Sequence, residues 1–238
     1  LETAGALLDQ LTISEKRLNS IKNRIKRDYQ KGLQQYESDD DNSTDPTVKM
    51  LPTFVQKFQA EAPSNKPKTF LALDLGGTNF RVLVVEIEAM PEEVLKDIEE
   101  KDENGMCRSI SSSLSNASSN PSIYQPSLHI DSKIYRIPKD KMTGPGDELF
   151  DYLANCIAEF IKAVKLKAED HTSLPIGFTF SFPLNQTNLN AGTLLTWTKG
   201  FSCDGVVGHD VAEMLNKSIS RNPALSKFNV FVAGLCND

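Results

Sequence analysis

The segment from Leu71 to Arg81 most constrains the fold of this chain, because two apolar runs flank a tight polar turn. The first run contains one acid, Asp74, and ends at Gly76 and Gly77, and the second run follows at once. This pattern predicts a β-hairpin. Paired glycines let backbone N–H groups approach a ligand without a Cβ in the way, and such donors form an anion-binding concavity. The hairpin therefore predicts a phosphate site, with Asp74 placed to meet a metal ion or its waters.

The bulk composition is that of an ordinary soluble protein. The chain has 238 residues, of which 39% are hydrophobic and 24% charged, and its formal net charge is −6. This length allows one large domain or two small ones, and the negative charge argues against a nucleic-acid partner. No apolar stretch of the sequence is long enough to span a membrane. Four widely spaced cysteines indicate reduced thiols, so we expect a cytoplasmic protein.

The first third of the chain predicts a long helix and a linker. The run Thr12-Ile13-Ser14-Glu15 fits a capping box, and apolar residues then recur at helical spacing as far as about Tyr36. Glu61–Lys68 is a proline-containing linker into the hairpin. Pro91–Ser127 is first charged and then rich in serine and asparagine, which predicts a disordered surface insertion.

The rest of the chain alternates strands and helices. The predicted elements are a third strand at Leu128–Ile137, a helix over Leu149–Val164 with Asp147 as its N-cap, a strand at Leu174–Phe182, possible short strands within Leu184–Phe201, a helix at His209–Ile219 and a strand at Phe228–Cys236. Helices between the later strands imply parallel pairing, whereas the first three strands can form an antiparallel meander. The fold class is therefore α/β, with a mixed five-stranded sheet.

Common nucleotide-binding and hydrolase motifs are missing from the sequence. There is no Walker loop, no Gly-x-Gly-x-x-Gly, no His-Glu-x-x-His and no Gly-x-Ser-x-Gly. Phosphate binding, if it occurs, must therefore use the hairpin.

Several polar residues could carry chemistry, and each also has a plain structural interpretation. Asp74 could be a structural acid tied to backbone N–H groups or to Arg81, because an unpaired buried carboxylate is costly. Ser181 lies at the end of a strand in which Thr179 and Ser181 alternate with aromatic residues, and such a strand is more often part of the sheet core than a site. A loop lysine such as Lys199 is usually just solvated, and the pair Asn237-Asp238 is also typical of a turn.

Five segments, taken together and in this order, resemble the hexokinase family of ATP-dependent sugar kinases. The segments are Leu71–Arg81, Lys139–Phe150, Leu174–Pro183, Leu195–Phe201 and Val230–Asp238. The resemblance covers nearly the whole chain apart from the insertion.

The resemblance implies a ribonuclease-H-like fold, shared with actin and the heat-shock chaperone ATPases, in two lobes around a cleft. Residues 1–69 would supply a helix and linker of the large lobe. Residues 70–238 would form the small lobe, with the disordered insertion near 91–127. The rest of the large lobe, which completes the site in the family, would be missing.

The resemblance also implies roles for individual residues, with ATP, Mg²⁺ and glucose or a similar hexose as ligands. Asp74 would hold Mg²⁺ through water, and Asp238 would be the general base for the 6-hydroxyl. Lys199 could stabilise the transferring phosphoryl charge. The phosphate turn would comprise Gly76, Gly77, Thr78, Asn79 and Arg81, and the sugar contacts would come from Ser181, Thr198, Lys199, Asn237 and Asp238.

Departures from the family lead to two hypotheses about this chain. The chain begins at Leu1 and stops at Asp238, before the Thr-x-Gly-Thr phosphate turn that the family has next, so we expect a portion of a longer hexokinase. Such a portion should show little or no activity alone. The alternative is a non-catalytic lobe that binds sugar or a partner without turnover. An actin-like or chaperone-like ATPase is disfavoured by Ser181, Thr198 and Lys199.

Overall fold

The structure is a computed structural model that describes residues 12–38, 50–51, 53–54, 64–92, 127–166 and 172–237. It divides into two units, Leu1–Pro52 and Thr53–Asp238. Asp238 and almost all of the predicted insertion lie outside the described residues. None of the helices in the described ranges is long and apolar enough to cross a membrane.

The described residues of the first unit include one long helix, α1 (Glu15–Ser38), which ends two residues beyond the predicted end. Its start corrects the predicted capping box, because Ser14 rather than Thr12 precedes the first turn. The Ser14 hydroxyl accepts a hydrogen bond from the Arg17 N–H at 3.3 Å. A Ser side chain that bonds to the third residue after it is an ordinary N-cap, so the cap lies two residues later than the box pattern indicated. Large apolar side chains along α1 are exposed, namely Leu18, Ile21, Ile25, Tyr29 and Leu33.

The second unit is built on a five-stranded sheet, as predicted. Its strands are β1 (Lys68–Leu75), β2 (Asn79–Ile87), β3 (Leu128–Arg136), β4 (Thr172–Phe180) and β7 (Phe228–Asn237), in the spatial order β3-β2-β1-β4-β7. The first three strands form the predicted antiparallel meander. β4 runs parallel to both β1 and β7. The mixed sheet is therefore confirmed, and the carboxyl ends of β1, β4 and β7 lie at one edge.

The described residues of this unit also form helices and a small hairpin. They are α2 (Lys139–Thr143), α3 (Gly146–Ala163), the hairpin strands β5 (Leu184–Asn188) and β6 (Ala191–Leu194), α4 (Val211–Arg221) and a 3₁₀ turn (Pro223–Leu225). The predicted N-cap at Asp147 is wrong, because α3 begins one residue earlier and Asp147 lies in its first turn. The Gly146 N–H instead donates to the Asp204 carbonyl at 2.9 Å, so a distant loop satisfies the start of this helix.

The core lies on the face of the sheet that packs against α3, and alternate residues of the strands point into it. In β1 the residues Leu71, Leu73 and Leu75 are buried, and in β4 so are Phe178 and Phe180. The period of two places these side chains on one face of the sheet. The apolar residues of α3 pack onto the same cluster; the buried ones include Leu149, Phe150, Leu153, Ile157, Phe160 and Ile161.

Candidate functional site

The turn between β1 and β2 is tight and anchored on two sides. Across it the Gly76 N–H donates to the Asn79 carbonyl at 3.0 Å. The Thr78 carbonyl accepts from the Ile137 N–H at 3.0 Å, which ties the turn to the end of β3. Thr78 and Asn79 are exposed, and both glycines are half-buried. The predicted hairpin is confirmed, and its polar residues can reach a ligand in solution.

Asp74 lies at the carboxyl end of β1, between Arg81 of β2 and Thr179 of β4 in the strand register. Within the described residues, no hydrogen bond or ion pair holds its half-buried carboxylate, so the predicted structural tie to Arg81 is not formed there. The same described ranges contain no group of three or more metal-binding side chains. A lone carboxylate suits Mg²⁺, which keeps several waters and takes other ligands from substrate phosphates.

Ser181 follows β4 directly and lies beside the β1–β2 turn. Its side chain is buried, with 6% of the residue exposed, and its backbone N–H donates to the Leu75 carbonyl at 3.2 Å. Since Gly76 follows Leu75, this bond fixes the end of β4 against the start of the turn. The parallel pairing of β1 and β4 therefore brings two of the predicted site segments together.

Asn237, at the end of β7, holds the backbone around Ser181. Its amide nitrogen donates to the carbonyls of Phe180 and Phe182 at 3.3 and 3.0 Å. Its amide oxygen accepts from the Leu184 N–H at 3.3 Å. This side chain thus positions the turn after β4, and its predicted contact with a sugar hydroxyl stays a prediction.

The loop after β6 presents Thr198 and Lys199 to solvent in an unusual backbone conformation. Lys199 has φ of +56° and Gly200 has φ of +83°. A positive φ is uncommon for a residue with a side chain and needs support from its surroundings. The Phe201 N–H donates to the Thr198 carbonyl at 3.0 Å and closes a short turn across these two residues.

An aromatic cluster, formed by Trp197, Phe201 and Phe182, anchors that loop. The Trp197 ring stacks on Phe201 with centroids 5.3 Å apart and packs perpendicular to the Phe182 ring with centroids 4.8 Å apart. The Trp197 indole N–H donates to the Cys203 carbonyl at 2.9 Å. Aromatic pairs add about 0.5–1.5 kcal/mol beyond their burial, so the cluster is a firm base for the strained backbone.

The Lys199 side chain lies close to the β1–β2 turn. A Cβ placed on Gly77 would lie 3.2 Å from the Lys199 Cβ and 3.3 Å from its Cδ. The Lys199 Nζ lies 5.6 Å from the centroid of the Phe182 ring. The lysine stem therefore runs over Gly77, and its ammonium group is held near an aromatic face.

Sequence reasoning missed the supporting roles of Phe182, Trp197 and Phe201. The alternation of aromatics from Phe178 to Phe182 signalled a buried face, but nothing local showed that Trp197 would pack on it. The structure brings Ser181 to the Leu75–Gly76 backbone and Lys199 to Gly77. Asp238, the predicted general base, lies outside the described residues.

Known proteins resemble this chain over nearly its whole length. The hexokinase family model matches residues 3–238 of the chain. Hexokinase-2 of Equus caballus is 38% identical over 232 residues, which cover 97% of this chain and 20% of that protein. Hexokinase-2 of Homo sapiens is 37% identical over a stretch with the same two coverages. The chain thus spans about a fifth of the length of these curated relatives.

Solved structures give the same result for the fold. A Schistosoma mansoni hexokinase complexed with glucose has a TM-score of 0.62 and 33% identity, and the match covers 97% of this chain and 41% of that one. A second hexokinase crystal structure, with 24% identity and a TM-score of 0.51, supports the fold alone. The predicted ribonuclease-H-like fold of the actin and sugar-kinase type is confirmed. With a family model that matches nearly every residue, the chain belongs to the hexokinase family.

Proposed function

We propose that this chain provides one side of the site of an ATP-dependent hexokinase, which transfers the γ-phosphate of ATP to the 6-hydroxyl of glucose or a similar hexose. The observation that carries the proposal is the course of the Lys199 stem over Gly77, where an added Cβ would lie 3.2 Å from the Lys199 Cβ. It brings the loop that would contact the sugar to the turn that would contact the phosphates. A site for phosphoryl transfer to a sugar needs both at the same place.

The phosphate side of the site would be the β1–β2 turn. Its exposed Thr78 and Asn79, with Arg81 beyond them, would contact the phosphates, and the Cβ-free glycines would let backbone donors come close. Asp74 would hold Mg²⁺ through water, which fits its carboxylate and the lack of a larger metal-binding cluster in the described ranges. The metal would neutralise phosphate charge, as it does generally in phosphoryl transfer.

The sugar side would be formed where β4, β7 and the loop after β6 end. Ser181, Thr198 and Lys199 would hydrogen-bond sugar hydroxyls, and Asn237 would do so or hold Ser181 in place. Asp238 follows Asn237 directly and would accept the proton of the 6-hydroxyl, since an aspartate is ionised at neutral pH.

The reaction asks the protein mainly for positioning and electrostatic stabilisation. Lys199 suits the second task, because its ammonium group is carried on a stem that already lies over the phosphate turn. A cation fixed beside the transferring group stabilises the charge of the transition state without costly rearrangement. Closure of a second lobe over the sugar would exclude water as a competing acceptor.

Calorimetric titration of the 238-residue chain with D-glucose tests the sugar side. We expect Ser181→Ala to weaken binding about tenfold, which corresponds to the loss of one well-formed hydrogen bond. Ser220→Ala is the matched control, because the Ser220 hydroxyl on α4 bonds only to the Lys217 carbonyl among the described residues. Equal affinities of both variants and the unchanged chain would refute the assignment of Ser181.

A second candidate is a lobe that binds sugar or a partner without turnover. The observation in its favour is coverage, since the chain spans only 20% of the curated relatives and 41% of the Schistosoma mansoni structure. A coupled assay for glucose phosphorylation on this chain joined to the large lobe of a related hexokinase separates the candidates, because only the first one predicts turnover there. We expect little or no turnover by this chain even where glucose binds, because the large lobe would supply further sugar and nucleotide contacts.

A further inference from the structure

The strand β3 is an edge of the five-stranded sheet, and its side chains are open to solvent. Among the described strands it pairs only with β2. Eight of its nine residues are exposed, including the large apolar residues Leu128, Ile130 and Ile134, which are 58%, 51% and 56% exposed. Exposed edge strands are templates for pairing with another chain. This edge is therefore open to pairing with a further strand.

The backbone of β3 shows which residues could pair. The Ile137 N–H donates to the Thr78 carbonyl at 3.0 Å, and the Ser127 carbonyl accepts from the Glu88 N–H at 3.1 Å. Backbone groups in an antiparallel ladder alternate between the two sides of a strand. The odd-numbered residues of β3 therefore bond to β2, and the even-numbered ones turn their N–H and C=O groups outward. Ile130, Ser132 and Ile134 form the centre of that outward row.

We propose that two copies of this chain pair antiparallel along β3, with the two-fold axis at Ser132. In this register Ile130 lies opposite Ile134 of the other copy, and Ser132 lies opposite its own counterpart. All nine residues of β3 overlap in this register. The two sheets would then join into one continuous sheet with an isologous interface.

Charge complementarity selects this partner and this register. Asp131 of each copy lies opposite Lys133 of the other, in pairs without backbone bonds, where side chains come closest. Moving the axis to Asp131 or to Lys133 sets two like charges opposite each other, which destabilises a sheet. A lysine on an edge strand usually blocks pairing. In this register, however, Lys133 lies opposite Asp131 of the other copy.

Both charged side chains can reach across the edge. The Asp131 carboxylate contacts His129 at 3.0 Å and is 50% exposed. The Lys133 ammonium contacts Glu159 of α3 at 2.6 Å and is 43% exposed. Neither contact buries its charge, so each group keeps sites for a second partner. A surface hydrogen bond of this kind is weak enough to be shared.

Apolar contacts would add to the pairing on the opposite face of the sheet. Each Ile130 meets an Ile134, so four isoleucine side chains from the two copies come together where they are now about half exposed. Cross-strand pairs of β-branched residues stabilise antiparallel sheets. The interface is still small for a stable dimer, so we expect a concentration-dependent equilibrium rather than a permanent dimer.

Sedimentation equilibrium of the 238-residue chain, from about 1 µM to about 500 µM, measures this association. We expect a monomer–dimer equilibrium. Asp131→Lys alone and Lys133→Asp alone should each raise the dissociation constant about tenfold or more, because each sets like charges opposite at both symmetric positions. An equimolar mixture of the two variants should associate at least as well as the unchanged chain, since the introduced lysine then faces the introduced aspartate.

Two controls keep the test sharp. Glu213→Lys on α4 reverses an exposed, ion-paired charge away from the edge and should leave the association unchanged. Hydrogen exchange on the unchanged chain does not depend on any variant; protection of the Ile130, Ser132 and Ile134 amides should rise with concentration. A chain that stays monomeric throughout overturns the proposal. So does a dimer that neither charge variant weakens, or a mixture that fails to restore association.

Discussion

Gly77 is the residue of the β1–β2 turn that lies beneath the stem of Lys199 from the loop after β6. Its neighbour Gly76 would meet only the Asn79 carbonyl, at 3.6 Å, if it carried a Cβ. At Gly77 the same atom would press on the Lys199 stem at 3.2 Å. One glycine therefore serves the turn, whereas the other makes room for a lysine from a distant loop.

Gly77→Ala should displace Lys199 without unfolding the sheet. We expect it to lower the free energy of unfolding by about 1 kcal/mol, the usual cost of mild overpacking, and to change the emission of nearby Trp197. Gly76→Ala is the matched control and should leave both nearly unchanged, since 3.6 Å is an ordinary contact. Urea unfolding and fluorescence measure the two effects. Equal effects of both substitutions would show that the Lys199 contact is unimportant.

Gly146→Ala should be more damaging than any other glycine change considered. The added Cβ would lie 2.2 Å from a methyl group of Val206 and 2.8 Å from the Asp204 carbonyl oxygen. Both neighbours are fixed, so we expect a loss of about 3 kcal/mol in urea unfolding. Gly177→Ala, where a Cβ would meet nothing within 4 Å, should change stability by less than about 0.5 kcal/mol. A loss of less than about 0.5 kcal/mol for Gly146→Ala would contradict the packing at the start of α3.

The elements show what local sequence can and cannot predict. The hairpin, the α3 stripe and the five strands were predictable, because apolar periods of two and 3.6 are local signals. The caps were not. Gly146 begins α3 with a hydrogen bond to the carbonyl of Asp204, which is distant in sequence. The N-cap of α1 is Ser14 and not the predicted Thr12, and residue type alone could not distinguish them because both residues suit an N-cap.

The Asp210 carboxylate connects α4 to the β5–β6 hairpin, and we expect it to stabilise both elements. One carboxylate oxygen accepts from the N–H groups of Ala212 and Glu213 at 2.8 and 2.9 Å, and the other accepts from the Gly192 N–H at 3.0 Å. We expect Asp210→Ala to cost about 2 kcal/mol, at the upper end for an N-cap. Thermal unfolding measures this loss.

Asp210→Asn provides the comparison for that loss. Asparagine is as good an N-cap as aspartate, but its amide nitrogen would face the Gly192 N–H. We therefore expect a loss between zero and that of alanine. An alanine variant as stable as the unchanged chain would show that the cap contributes nothing.

At the scale of the whole molecule, the second unit should lose stability at alkaline pH. Burial raises the pKa of the Cys156 and Cys203 thiols to about 11, from an ordinary 9.0. Between these values the unfolded chain releases the thiol protons and the folded chain keeps them, so unfolding becomes easier as pH rises. The contribution is complete below pH 9 and is lost as pH rises towards about 11.

Replacing both cysteines by alanine isolates this effect. The variant is less stable at neutral pH because it leaves small cavities, but its stability should fall less between pH 9 and 11. Urea unfolding at several pH values gives the two slopes. Parallel slopes would show that the thiols do not drive the loss.

The candidate site depends on contacts that no local pattern specifies. The sequence offered Asp74, Ser181 and Lys199 as candidates, each with a plain structural alternative, and their order along the chain suggested the family. The approach of Lys199 to Gly77 depends on the positive φ at Lys199 and on the aromatic base beneath it. The packing of Trp197 on Phe182 and the approach to Gly77 join segments far apart in sequence, which is why single-sequence reasoning could not find them.

Fluorescence of Trp197 tests most directly whether these segments form one sugar site. It is the only tryptophan of the chain, and it precedes Thr198 and Lys199 in the loop that rests on Phe182 and Phe201. We predict a saturable change in its emission on titration with D-glucose to millimolar concentrations, and none with L-glucose, which has the same composition and the opposite hand. Identical responses to both sugars, or no response to either, would contradict the account.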